Sequence, residues 1–293
     1  MKMSLNLVLI GLAVFSFGCQ DNHFKEDVIM AGGRYVKSDT LNYGKSIYTE
    51  YCMACHGVNG DGAGVAAKGM AVPPRNFKLG LIKFGNVASG ELTHDDAIAK
   101  SLHEGLKGTA MLPWDLSENQ TDAVIQYIKT FAPKTWIGKE KELGEKIEIT
   151  KDPFGLARKT LAIEKGKAVY HAVANCQSCH RGYVTLNEYN DILSAAGEDK
   201  VSELDEDFYK IKLQDSDHGY ATMPPDFTWH DVRSGQTVED LYLRLAAGVG
   251  GTGMPAWKGT IEDDEIWAAA YYVRYLMDLK DAPERKEFMS RFK

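Results

Sequence analysis

The sequence predicts an all-α fold, built as two tandem helical units with long loops. Three observations predict it. Blocks of residues recur in the same order in the two halves: Gly44-Lys45-x-x-Tyr48 and Gly166-Lys167-x-x-Tyr170, then Cys52-Met53-Ala54-Cys55-His56 and Cys176-Gln177-Ser178-Cys179-His180, then Gly105-x-x-Gly108-Thr109-Ala110-Met111 and Gly248-x-x-Gly251-Thr252-Gly253-Met254. Helix-start signals precede apolar residues at helical spacing in both halves. No stretch shows the sustained alternation of a half-buried strand.

Taken in order, residues 1–19 read as an export segment. Lys2 is followed by an apolar run from Leu5 to Phe17, too short for a membrane span of about 20 residues. Residues 20–38 are polar, contain Gly32-Gly33, and read as a flexible tether. The first unit covers 39–134. Within it Thr93-x-x-Asp96 and Ser117-x-x-Gln120 are expected to cap helices, the first ending near Gly105 and the second stopped by Pro133. Residues 135–160, rich in Lys and Glu, form a linker. The second unit covers 161–280, with Thr237-x-x-Asp240 and Thr260-x-x-Asp263 as the corresponding caps. The repeat offset is 124 residues at the cysteine motifs and 143 at the Met loops, so the second unit is longer between them. That length includes an acidic segment near 184–215, expected to be a solvated excursion. Residues 281–293 are a tail.

The two C-x-x-C-H strings carry the chemistry. Cysteines three apart lie on one side of a helix, within reach of the two vinyl groups of one porphyrin, and the next residue is placed to ligate its iron. The candidates are Cys52, Cys55 and His56 in the first unit and Cys176, Cys179 and His180 in the second. A four-cysteine zinc site would need the pairs much closer than about 120 residues apart. The chain resembles the dihaem class I c-type cytochromes, over roughly 39–134 and 161–280. That resemblance implies two covalently bound haem c groups. It implies a sixth ligand from a loop before the last helix of each unit, where Met111 and Met254 fall; Met70 and Met223 are rivals. It also implies a proline carbonyl that accepts the second ring N–H of the ligating His, with Pro73 or Pro74 and Pro224 or Pro225 as candidates. Gly44 and Gly166 would permit a close helix crossing, with Tyr127 and Tyr271 as partners. Trp114 and Trp257 are read as core aromatics near the haem, and Arg75 as either a propionate partner or a surface residue. His171 is not assigned as a ligand.

Gly18-Cys19 resembles a bacterial lipoprotein signal, although Ser16 stands where Leu is usual. A lipidated Cys19 would anchor the protein at a membrane face and leave no unexplained cysteine. Composition is ordinary for a globular protein, and the formal net charge of −7 excludes nucleic acid as a partner and favours a redox protein with a basic docking surface. With His and Met on both irons, no position is open for a small-molecule substrate. The expected role is therefore electron transfer in the periplasm, as a carrier or a subunit of a respiratory complex. The alternatives are a dihaem enzyme, a peroxidase or sulfur-compound oxidoreductase, and a structural haem subunit.

Overall fold

The computed structural model describes residues 22–292. The export segment and Cys19 lie outside the described residues. The described chain is mostly helical, with one small hairpin, β1 (Val28–Met30) and β2 (Arg34–Val36), paired antiparallel. This hairpin corrects the expected flexible tether over 20–38. Met30 is fully buried, Val36 nearly so, and both pack with Leu41 of the first helix. Strands of three residues are too short to show an alternating pattern in sequence.

The first unit comprises α1 (Ser38–Ile47), α2 (Met53–His56), α3 (Asp95–Glu104), α4 (Glu118–Lys129) and the short α5 (Pro133–Trp136). The second comprises α6 (Lys159–Ala168), α7 (Leu186–Ala196), α8 (Val238–Ala247), α9 (Asp263–Asp278) and α10 (Arg285–Ser290). In each unit the entry helix crosses the later long one, α1 on α4 and α6 on α9. The crossing needs glycine. A Cβ on Gly44 would run into the Ala123 carbonyl and the Tyr127 Cβ, and one on Gly166 into the Ala268 carbonyl and the Tyr272 Cβ. The second partner is thus Tyr272 rather than Tyr271, whose hydroxyl donates instead to Asp152 at 2.6 Å.

Two of the four expected caps form as reciprocal boxes, Ser117 with Gln120 on α4 and Thr237 with Asp240 on α8. The other two do not. Thr93 is drawn into the loop before it: its hydroxyl accepts from the Asn86 N–H at 3.2 Å and donates to the Asn86 side chain at 3.0 Å, so α3 starts after His94. On α9 the box is made by Glu262 with Glu265, two residues beyond Thr260. Gly105 and Gly248 end α3 and α8 with positive φ, as expected.

Three peripheral segments are more ordered than the sequence suggested. The acidic stretch contains α7, capped by Thr185 and Glu188, and buries Phe208 against Gly182 and Tyr189. The tail forms α10 and buries Phe292 in the second core beside Phe288 and Tyr209. The linker is a strap. The Gly144 and Ile147 N–H groups donate to the Leu92 and Asn86 carbonyls at 2.8 Å, and Trp267 Nε1 donates to the Thr150 hydroxyl at 3.0 Å. The linker therefore bonds to both units.

The units also meet directly. The Gly250 N–H donates to the Lys83 carbonyl at 2.9 Å, Lys100 pairs with Asp240 at 3.0 Å, and Arg244 lies over the Phe84 ring at 5.4 Å. Arg75 donates to His218 Nδ1 at 2.7 Å, and His218 Nε2 donates to the Gly250 carbonyl at 3.0 Å. Arginine can only donate and a carbonyl only accept, so His218 is held as one neutral tautomer.

Candidate haem sites

A single wide helical turn closed by an i→i+5 bond leads into each cysteine motif, Tyr48–Cys52 with Met53 N–H to the Tyr48 carbonyl, and Val169–Val173 with Ala174 N–H to the Val169 carbonyl at 2.8 Å; the first ends on Cys52 itself. Such turns recur at functional sites. They leave the motifs in different backbones: α2 carries Cys55 and His56, whereas Cys176–Ser178 is a tight 3-10 turn entered through Asn175 in the left-handed region. All four motif cysteines are free thiols, not paired as disulfides. Burial pushes the Cys52 thiol up to about 11 and the Cys176 thiol up to about 12, so neither favours the thiolate. Among the described residues no three His, Cys, Asp or Glu side chains gather as a cation cage would require.

Both motif histidines are oriented in one way. His56 Nδ1 donates to the Arg75 carbonyl at 3.0 Å, and His180 Nδ1 to the Pro225 carbonyl at 3.2 Å. The acceptor in the second unit is Pro225, one of the two candidates there. In the first unit it is Arg75, one residue beyond Pro74, so Pro73 and Pro74 do not make this bond. Pro74 corresponds to Pro224 and Arg75 to Pro225. Two residues beyond each acceptor a phenylalanine stacks on the imidazole, Phe77 at 4.6 Å and 22° and Phe227 at 5.0 Å and 18°. The sequence reading missed these two rings, although each lies at the same distance from its acceptor. Burial pulls His180 down to about 4 and lowers His56 as well, which favours the neutral imidazole with a free Nε2 lone pair. The tyrosines ahead of each motif, four residues before Cys52 and six before Cys176, lock the far side: Tyr48 donates to the Gly57 carbonyl at 2.7 Å and Tyr170 to the Arg181 carbonyl at 2.8 Å.

The Met loops share one hydrogen-bond frame. The Leu106 and Val249 N–H groups donate to the Met111 and Met254 carbonyls at 2.8 and 3.1 Å. Thr109 and Thr252 hydroxyls donate back to the Leu106 and Val249 carbonyls at 2.7 and 2.8 Å, and accept from the Met111 and Met254 N–H groups at 3.1 and 3.3 Å. Trp114 and Trp257 tie each loop to its preceding helix through the Leu102 and Leu245 carbonyls at 3.0 and 3.1 Å.

In the second unit these parts surround one cavity of about 550 Å³, within the range of cofactor pockets. Cys176, Cys179, His180, Pro225, Phe227, Met254 and Trp257 line it, and so does the rival Met223. In the first unit Cys52, Met111, Trp114 and Phe77 pack on one apolar cluster. His171 is fully buried with both ring nitrogens occupied: Nδ1 donates to the Lys167 carbonyl at 2.8 Å and Nε2 accepts from the Tyr183 N–H at 3.0 Å. It is a structural residue. Arg75 does not lie free on the surface; it reaches across to His218. Free cysteine pairs, neutral histidines and an apolar cavity of this size fit a covalently held porphyrin.

Two family models match the chain, Cytochrome c over residues 41–132 and Cytochrome C oxidase, cbb3-type, subunit III over residues 161–273. A chain of the reducing HAO-like protein complex of Kuenenia stuttgartiensis is 31% identical, with 80% of this chain and 95% of that chain covered and a TM-score of 0.62. No curated protein shows a significant match. No described helix is long and apolar enough to cross a membrane. Domains of this kind bind haem c covalently and serve electron transfer. The chain belongs to the c-type cytochromes, with two cytochrome c domains in tandem.

Proposed function

We propose that this chain is a dihaem electron-transfer protein. One haem c is bound through Cys52 and Cys55, with His56 and Met111 on the iron. The other is bound through Cys176 and Cys179, with His180 and Met254 on the iron. The observation that carries this reading is the duplicated frame: the same carbonyl–imidazole–phenylalanine stack and the same Thr-braced Met loop occur in both units. Bound haem c supplies a one-electron couple. The residues do the rest. The carbonyls of Arg75 and Pro225 hold Nδ1–H, so that Nε2 faces the iron. Thr109 and Thr252 brace the loops that would present a soft, neutral thioether to the iron, a ligand that would favour the reduced state. With His56, Met111, His180 and Met254 so placed, a bound haem would exchange electrons without a bound substrate, and no small molecule would reach an iron.

The electrons pass to and from protein partners. The net charge of −7 suits a partner with a basic surface. The protein serves as a carrier or as a subunit of a respiratory complex, and the neighbour's place in a complex is consistent with stable redox partners. We place the protein in the periplasm, anchored through a lipidated Cys19. Replacing Cys19 with Ser is expected to move the protein from the membrane to the soluble fraction.

Absorption and magnetic spectra with a potentiometric titration test the reading. Two low-spin haems with Met–iron charge-transfer signatures are expected, inert to peroxide. Met111→Ala and Met254→Ala should each lower one midpoint and open one iron to added ligands. Spectra unchanged in both variants, or peroxide turnover by the unmodified protein, overturn it.

A further inference from the structure

The cavity of the second unit is not lined by the second unit alone. Lys83 and Phe84, from the loop before α3, line it as well. Its wall carries three cations, Lys83, Arg233 and Arg244, in a chain of negative net charge. None of the three is within salt-bridge distance of a carboxylate among the described residues, although fifteen such pairs form elsewhere. Arg244 gives one N–H to the Gly248 carbonyl at 2.9 Å, but its Nε is buried without a partner. Lys83 is half-buried, and its burial together with the nearby Arg75 and Arg233 charges pulls it down to about 8. Clustered, unpaired, partly desolvated cations are costly unless an anion joins them. The backbone holds this one in place: the Lys83 carbonyl takes the Gly250 N–H at 2.9 Å, and a Cβ at Gly250 would strike the Ile82 carbonyl.

Haem c carries two propionate carboxylates. We propose that Lys83 of the first unit, with Arg233 of the second, holds the propionate edge of the haem in the second unit. This rests on the function proposed above. The first unit then completes the second haem's electrostatic environment, and docking of the two units sets that haem's midpoint. A cation beside a propionate offsets charge that would otherwise stabilise the ferric state, so its removal lowers the midpoint.

The test is a redox titration of the doubly loaded protein, followed at the haem methyl NMR resonances of each unit, for wild type, Lys83→Met, Lys83→Arg and Arg233→Met. Haem content is measured first by the alkaline pyridine spectrum. Lys83→Met should lower the midpoint of the second haem more than that of the first. Lys83→Arg should restore it, and Arg233→Met should lower it in the same direction. Two haem c per chain with an unchanged second midpoint in Lys83→Met overturn this assignment alone. So does a shift confined to the first haem, or a shift that Lys83→Arg fails to restore. Fewer than two haem c in the wild type overturn both this assignment and the proposed function.

Discussion

The two units solve one problem with different residues at the same place. His56 and His180 each give Nδ1–H to a main-chain carbonyl, but that carbonyl belongs to Arg75 in one unit and Pro225 in the other. The bond to the imidazole does not involve the side chain. In the second unit the side chain is a ring that stiffens the loop. In the first it is a guanidinium that crosses to His218 and, through it, to the Met254 loop at Gly250. A task carried by the backbone leaves the side chain free for a second one, and here the second task joins the units.

The largest expected effect concerns what the units share. Gly44→Ala and Gly166→Ala each drive a Cβ into the carbonyl of the crossing helix and should cost about 3 kcal/mol, the upper end for overpacking. Denaturant unfolding should show equal losses. A loss in one unit alone would break the equivalence of the two crossings. Next comes what they do not share. Arg75→Leu leaves His218 Nδ1 without a donor in a buried site and should cost about 1–3 kcal/mol. Pro225→Ala keeps its carbonyl and should cost about 1 kcal/mol or less. Equal losses from the two would mean that the side chain at this position does not distinguish the units.

A pH series sharpens the same contrast. Burial and the Arg75 charge pull His218 down to about 4, below its ordinary 6.5. The folded state then binds fewer protons than the unfolded one. This contribution is complete above about pH 6.5 and is lost as the pH falls toward 4. Protection of the Gly250 amide, its exchange rate taken relative to the intrinsic rate at each pH, should fall over that window and do so less in His218→Gln. Buried His171, also pulled to about 4, titrates in both proteins, so the difference between them isolates the interface. The caps stand at the low end of the scale, with Pro225→Ala. Ser117→Ala and Thr237→Ala should each lower the thermal midpoint by an amount equivalent to about 1 kcal/mol.

Much of the candidate site was legible in the sequence because short-range spacing governs it. The C-x-x-C-H strings, the Gly–Thr–Met loops and the boxes at Ser117 and Thr237 each depend on residues within about six positions. Thr93 misled because its hydroxyl had a competing partner at Asn86, seven residues back and visible only once the loop is folded. The proline pairs pointed to the right loop but not to the right carbonyl in the first unit, since the acceptor depends on the path of the backbone rather than on residue type. The box at Thr185 and Glu188 was present as a pattern, masked by the acidic run that follows. The Arg75–His218 contact joins residues 143 apart that are not equivalent positions of the repeat, and no local rule reaches it. Nor does any local rule predict that Phe292 returns to seal the second core.

The frame around Met111 and Met254 has a bearing on how such a duplicated chain can drift. Nearly every bond that fixes the two loops uses amide and carbonyl groups, plus a single threonine hydroxyl in each. Most side chains there are bystanders to that geometry. Two halves of one polypeptide can therefore part company in composition, insertions and surface charge while each keeps the same main-chain frame around its methionine.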